Sequence, residues 1–245
     1  MSNSNFNNSN PFISDSLIDQ TLDQSINDKM TINGAISKTF ILFGILLVAA
    51  LFSYLVPNNI FLFTGLIGGL VTVIVARFKP QWANWLAPTY AFLEGLFVGT
   101  ISFIYASQFH GIVFQAVTLT LAVLFFMLMA YKYQWIKVTE KLRSMIVAST
   151  AAIATFYIIS IIANYGFGFQ MPMIHSNGWL GIGFSLFVVG LASMNLLLDF
   201  DNFEKGEQYG APKYAEWLFG MSIMVTLVWL YIEILRLLSK LSSRD

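Results

Sequence analysis

The sequence predicts an all-α membrane protein of seven transmembrane helices, and three observations predict it. Of 245 residues, 57% are hydrophobic and only 11% charged, with a mean hydropathy of +0.69; a water-soluble domain of that make-up would expose large apolar patches. Seven apolar runs, each long enough to cross a hydrocarbon core about 30 Å thick, follow one another along the chain. The basic residues fall almost wholly in alternate connections between those runs, which is the asymmetry that orients membrane proteins.

Residues 1–34 form a tail distinct from the seven-helix domain of residues 35–245. Asn and Ser dominate its first ten positions, a composition too polar to offset the entropy of ordering, so disorder is predicted there. From Ile13 onward, Leu17, Ile18, Leu22 and Ile26 recur at helical spacing with Asp15, Asp19 and Asp23 between them. That pattern predicts a loose amphipathic helix whose acidic face disfavours anionic lipid. The tail lacks the basic n-region and cleavage site of a signal peptide, so the first span is expected to be retained.

Span one runs from about Thr39 to Val56 and closes at Pro57-Asn58-Asn59. Span two, about Ile60 to Ala76, contains Gly65 and Gly69, whose four-residue spacing lets helix backbones approach closely. Arg77, Lys79 and Pro80 end it. Span three, about Leu86 to Ser107, carries Glu94 and a second small pair, Gly95 and Gly99. Spans four, five and six cover about Ile112 to Ala130, Met145 to Ala163 and Trp179 to Leu198. Span seven begins near Glu216 and runs to about Leu238.

Ten Lys and Arg residues (Lys29, Lys38, Arg77, Lys79, Lys132, Lys137, Lys141, Arg143, Lys205 and Lys213) precede span one or follow spans two, four and six, and the other three connections hold none. The positive-inside rule therefore places the N-terminus in the cytoplasm. Arg236, Lys240 and Arg244 dissent, because seven full spans put them on the outer side. Either the earlier loops override these late charges, or the last segment enters and turns back.

Several function classes are excluded or disfavoured. Zero net charge gives no ground for a nucleic-acid partner. The absence of cysteine removes disulfides, thiolate metal sites and thiol catalysis, and His110 and His175 alone leave little for a metal site, so no cofactor is expected. There is no His-Glu-x-x-His or Gly-x-Ser-x-Gly pattern. An intramembrane aspartyl protease would also place two acids on neighbouring spans, but a glutamate suits a matched dyad poorly. No enzyme activity is expected.

What remains is a set of carboxylates where carboxylates are costly. Asp199 ends the run Leu196-Leu197-Leu198, Glu216 opens span seven, Glu233 lies near the far end of that span, and Glu94 sits about 12 Å inside span three. If helix six continues to a bend at Gln208–Pro212, Asp199 and Glu216 differ in height by about 10 Å or less, whereas Glu233 stands about 25 Å above Glu216. Glu233 has Arg236 three residues on, within pairing distance. Glu216 and Glu233 are thus rival partners for Asp199. Two carboxylates sharing a poorly hydrated cleft hold one proton between them; ionised, they repel and present oxygen ligands that suit calcium. Asp201, with Glu204 and Glu207, reads first as a solvated acidic face at the helix end and second as part of the same site. Glu94 reads equally as a lining group of an ion path or as a neutral acid bonded to a neighbouring helix.

Thr31-Ile32-Asn33-Gly34, Lys38-Thr39, Ala87-Pro88-Thr89-Tyr90-Ala91, Glu94-Gly95, Leu198-Asp199-Phe200-Asp201, Gly210-Ala211-Pro212-Lys213-Tyr214, Glu216-Trp217 and Val225 to Arg236 form separated blocks from about residue 31 to the C-terminus. In these blocks the chain resembles the bacterial branch of the Bax inhibitor, or transmembrane Bax inhibitor motif, family. The resemblance implies six helices around a central seventh, in the bacterial inner membrane. It also implies a pH-sensitive calcium leak gated by two aspartates on helices six and seven that share a proton. Asp199 occupies the first position. Leu230-Tyr231-Ile232-Glu233 resembles the family's Leu-Tyr-Leu-Asp, so Glu233 occupies the second, with glutamate in place of aspartate and a longer segment between the pair. The same resemblance implies an alternative, a non-conducting regulator that binds a membrane-bound AAA protease. The partners expected are therefore the lipid bilayer, calcium or protons, and a membrane protease.

Overall fold

The computed structural model describes residues 29–168 and 178–243. The expected tail helix at residues 13–26 and His175 lie outside these residues. Seven helices long and apolar enough to span a membrane are present: α1 (Ile32–Leu55), α2 (Asn59–Phe78), α3 (Ala83–Gln108), α4 (Ile112–Lys132), α5 (Glu140–Phe167), α6 (Trp179–Gln208) and α7 (Ala215–Ser242). A single 3-10 turn at Pro80–Trp82 leads into α3. At 1.5 Å per residue even α2, the shortest at 20 residues, matches the hydrocarbon core.

Helix starts follow capping chemistry. Thr31 Oγ1 accepts from the Gly34 N–H at 2.9 Å, Asn58 Oδ1 from the Ile60 N–H at 2.9 Å and Thr139 Oγ1 from the Leu142 N–H at 3.2 Å. Each satisfies a donor that a helix start leaves without an intrahelical partner. Four helices run well past their expected ends: α1 begins seven residues before Thr39, α5 begins five residues before Met145, α6 continues ten residues beyond Leu198, and α7 continues four beyond Leu238. Apolarity marks where lipid stops, whereas polar helix turns continue into the interfacial region. The turn between α6 and α7 is made possible by Gly210 at φ 64°, where its N–H donates to the Glu207 carbonyl at 3.0 Å. Helix α7 is one uninterrupted 28-residue element, so a final segment that enters and turns back is ruled out.

Both small-residue pairs sit at close helix contacts, and they place α3 between α1 and α2. A Cβ on Gly65 would lie 2.6 Å from the Leu93 carbonyl oxygen of α3, and one on Gly69 would overlap the Glu94 carboxylate. On the other side of α3, a Cβ on Gly95 would lie 2.6 Å from the Leu46 carbonyl oxygen, and one on Gly99 would overlap the Ala50 carbonyl, both in α1. In lipid such approach is favoured by packing alone, because no water is displaced. The variant Gly99→Ala is expected to destabilise the bundle by about 1–3 kcal/mol, since the methyl meets backbone that must shift. A thermal melt of the detergent-solubilised protein checks it.

Helix α7 is the most enclosed of the seven and packs against α1, α3, α4 and α6, while α2 lies chiefly on α3 and α5 chiefly on α6. The main core follows that arrangement, with Leu42, Leu196, Leu197, Met224, Leu230 and Leu235 all fully buried.

Candidate functional site

Five polar side chains of α7 lie on one line. Ser222, Thr226, Glu233, Arg236 and Lys240 are spaced four, seven, three and four residues apart, which at 3.6 residues per turn keeps all five within about 40° of a common stripe. The stripe runs about 27 Å along the axis, close to the thickness of the hydrocarbon core. It faces α6 and the side of α5.

Asp199 sits on α6 at the near end of this stripe and is buried. The Ser222 hydroxyl donates to its Oδ1 at 2.5 Å and the Thr226 hydroxyl to its Oδ2 at 2.6 Å, so both carboxyl oxygens are bridged to the neighbouring helix. These hydroxyls, rather than a second carboxylate, are the hydrogen-bond partners of Asp199. Glu216 is about 9 Å below the level of Ser222 and Glu233 about 10 Å above that of Thr226, so neither rival acid shares its level.

Glu233, only 1% exposed, belongs to a triad of its own. Arg236 Nη1 lies 2.9 Å from Glu233 Oε1, Tyr157 of α5 donates its hydroxyl to the same oxygen at 2.7 Å, and Arg236 Nη1 donates to that Tyr157 oxygen at 2.8 Å. The guanidinium also stands 5.2 Å from the centre of the Tyr157 ring. The pairing of Glu233 with Arg236 is the one the three-residue spacing predicts. One turn on, the buried Lys240 ammonium donates to the Gly181 carbonyl and the Ser185 hydroxyl of α6, each at 2.9 Å.

Glu216 lies off the stripe, about 120° round the helix from Ser222, and serves α1. It is buried, accepts from the Thr31 N–H at 3.1 Å and stands 3.4 Å from the Thr31 hydroxyl. A carboxylate there lies at the N-terminal ends of both α1 and α7, where the helix dipoles favour negative charge. Glu207 adds to the same junction, accepting from the Ile32 N–H at 2.9 Å. Lys38 of α1 places its ammonium 5.0 Å from the ring centre of Trp217.

Asp201 pairs with Arg143 of α5 and with Lys205 at 3.1 Å, and Arg143 also donates to Asn202 at 3.0 Å. Glu204 accepts from the Tyr131 hydroxyl of α4. Of the acidic face expected at the end of α6, Glu204 and Glu207 are exposed and Asp201 is half-buried, and all three also tie α6 to its neighbours α4, α1 and α5. Neighbouring helices approach that end and bring donors with them. Asn195 donates to the Thr150 hydroxyl at 2.9 Å, an interhelical bond between α6 and α5. Glu94 is half-buried on the α2–α3 seam against Gly69, makes no hydrogen bond among the described residues, and lies on a different seam from Asp199. His110 is exposed.

Ser222, Thr226, Tyr157 and Lys240 are the site residues that sequence reasoning missed. The first two and Lys240 carried a signal, since polar residues recurring at helical spacing down an apolar span mark one buried face. Tyr157 carried none; one tyrosine in a chain that is 16% aromatic is unremarkable until the fold brings it to Glu233.

A polytopic helical bundle whose last two helices are joined along a polar seam defines the class: an integral membrane protein with ionisable groups held inside its span. Within that class the chain belongs to the Bax inhibitor 1 like family, whose sequence model matches residues 10–243, nearly the whole chain. The match begins well before residue 31, where the recognisable blocks start, and so takes in most of the tail. No match was found among the curated proteins.

Proposed function

We propose that the protein is a proton-sensitive cation leak, with calcium as the ion it passes, and that the α6–α7 seam is its gate. The observation that carries this reading is the polar stripe of α7, which crosses about 27 Å of apolar surroundings and begins at a buried carboxyl joined to both helices. Bundles that need only stability have no use for such a line, because polar groups in lipid are retained where ions or protons pass. Ionised Asp199 accepts from both hydroxyls; protonated, it must turn one contact into a donated bond, and the seam rearranges. Further along, Glu233 is neutralised by Arg236, and Lys240 occupies the far end as a tethered cation, so the arrangement described is a closed one. The basic-residue pattern supports a cytoplasmic N-terminus in the bacterial inner membrane, with Asp199 toward the cytoplasm.

Purified protein in liposomes loaded with a calcium indicator, assayed from about pH 5 to about pH 8 where acids inside proteins titrate, is expected to leak calcium in a pH-dependent way. Asp199→Asn, which removes the charge and keeps an acceptor, is expected to abolish that dependence. No flux at any pH, or a pH profile unaltered by Asp199→Asn, refutes the reading.

One observation favours the regulator alternative. The chain enters the bundle beside the α6–α7 turn, where the Met30 N–H donates to the Ala211 carbonyl at 2.8 Å, Lys29 forms a bridge with Pro212, and the Met30 side chain is buried. A membrane-bound AAA protease gripping residues 1–28 would pull directly on that turn. Stable co-purification of such a protease with the full chain, lost when residues 2–28 are removed, together with an absence of flux, decides for the regulator.

A further inference from the structure

The half of the bundle opposite the chain's N-terminus contains a cavity of about 330 Å³ that the polar seam does not use. It is bounded by the second half of α1, the second half of α3, the first half of α4 and the middle of α7. Its back wall consists of Leu46, Ser102, Leu227, Val228 and Tyr231, all buried. These residues of α7 point away from the polar stripe, roughly on the opposite side of the helix.

The wall offers nothing to water. The Ser102 hydroxyl donates to the Val98 carbonyl of its own helix at 2.5 Å and lies 2.6 Å from the Tyr231 hydroxyl, and the Thr120 hydroxyl donates to the Ala116 carbonyl of its own helix at 2.7 Å. Ordered water needs about two to four polar partners, and the space equals the liquid volume of about ten waters. It falls at the small end of ligand pockets, about 300–1,000 Å³. An empty void of that size forfeits the dispersion contacts of every lining atom.

The mouth identifies the occupant. Helices α1 and α4 flank the cavity but pack chiefly elsewhere, α1 on α3 and α7, α4 on α7 and α6. Leu47 and Leu51 of α1 face Val117 and Leu121 of α4 across the opening, and these four are 42–61% exposed. They belong to the apolar surface that the bilayer covers, so the cavity opens sideways into lipid rather than toward water. The geometry points to a binding site for one acyl chain of a membrane phospholipid, entering laterally between α1 and α4 and lying against Tyr231 and Leu227. A methylene chain needs no hydrogen bonds, is present at high concentration at the mouth, and gains contacts on entering without any change in hydration.

The site does not depend on ion conduction, and its test does not read it. The full-length protein is reconstituted into nanodiscs of phosphatidylcholine, part of it carrying a photoactivatable diazirine within one acyl chain, irradiated, and mapped by peptide mass spectrometry. Adducts are expected on the buried wall, at Ser102, Leu227 or Tyr231, as well as on the lipid-facing residues of α2 such as Ile67 and Leu70. Val117→Trp, which fills the mouth, is expected to abolish the wall adducts and leave those on α2 unchanged. Val113→Phe, filling the same space from deeper on α4, serves the same purpose where the tryptophan variant does not fold. Adducts confined to the exposed surface in the unaltered protein, or wall adducts that persist when the cavity is filled, overturn the proposal.

Discussion

Replacing Arg236 by methionine is expected to destabilise the solubilised protein by about 3–5 kcal/mol, the cost of breaking a buried pair by removing one partner. Glu233 is 1% exposed and is held by Arg236 and Tyr157 alone among the described residues. Without the guanidinium, its charge would be left in an apolar interior with a single hydroxyl donor, and Tyr157 would lose the donor that orients it. The double variant Glu233→Gln with Arg236→Met is expected to recover most of the loss, because it removes the charge that needs compensation rather than only its compensator. Denaturation in detergent of the single and double variants measures both. A loss below about 1 kcal/mol for Arg236→Met is what a solvated pair would give, and it would dismiss the idea that the half-buried Arg236 compensates the buried Glu233.

That result bears on how the proposed gate would work. The family's pattern sets two acids on helices six and seven to share a proton. In this chain the second acid, Glu233, already has a cation one turn away, and Asp199 has two hydroxyls. The three candidate acids of the hairpin therefore have three separate sets of partners: a helix start for Glu216, hydroxyls for Asp199 and an arginine for Glu233. Each is satisfied where it stands, so under the proposed reading a proton taken up at Asp199 would act on the seam directly rather than by bridging to another carboxylate.

Much of this was legible in the sequence, and the remainder was hidden for definable reasons. Seven spans follow from hydropathy because lipid requires every span to be long and apolar. The glycine pairs at 65/69 and 95/99 are legible because close helix contact in lipid needs small residues at that spacing. Heights along the axis were also legible, since rise per residue is fixed. What the sequence withheld was azimuth and partner identity. The Thr226 hydroxyl also lies 3.2 Å from the Ser222 carbonyl of its own helix, so from sequence alone it needs no partner on α6. Glu216 looked like an acid for the gate because the fixed rise put it within about 10 Å of the height of Asp199, but it stands about 9 Å from that level and its face is turned to α1. The line of Ser222, Thr226, Glu233, Arg236 and Lys240 was present in the residues throughout, yet charge and hydroxyl positions must be read together to see it.

The junction at Glu216 supplies the second large effect. Glu216→Ala is expected to destabilise the protein by about 3 kcal/mol, combining a lost hydrogen bond to a charged acceptor, about 1.5–3 kcal/mol, with lost compensation of two helix N-termini. The glycine at 34 exists to admit this carboxylate, for a Cβ there would overlap it. Once the side chain is gone, the part-buried Thr31 N–H loses its acceptor, one residue from the Met30 N–H that bonds the α6–α7 turn. Glu216→Gln keeps an oxygen acceptor for the Thr31 N–H and is expected to cost less than half as much, separating the hydrogen bond from the charge. Limited proteolysis reads the same event locally. In the alanine variant, cleavage between Lys29 and Lys38 is expected to accelerate under conditions where the helices remain folded, because the start of α1 frays before the bundle does. Equal stability of the alanine and parent proteins, with no change in cleavage, would mean that the α1 start is held by Glu207 and Met30 without it.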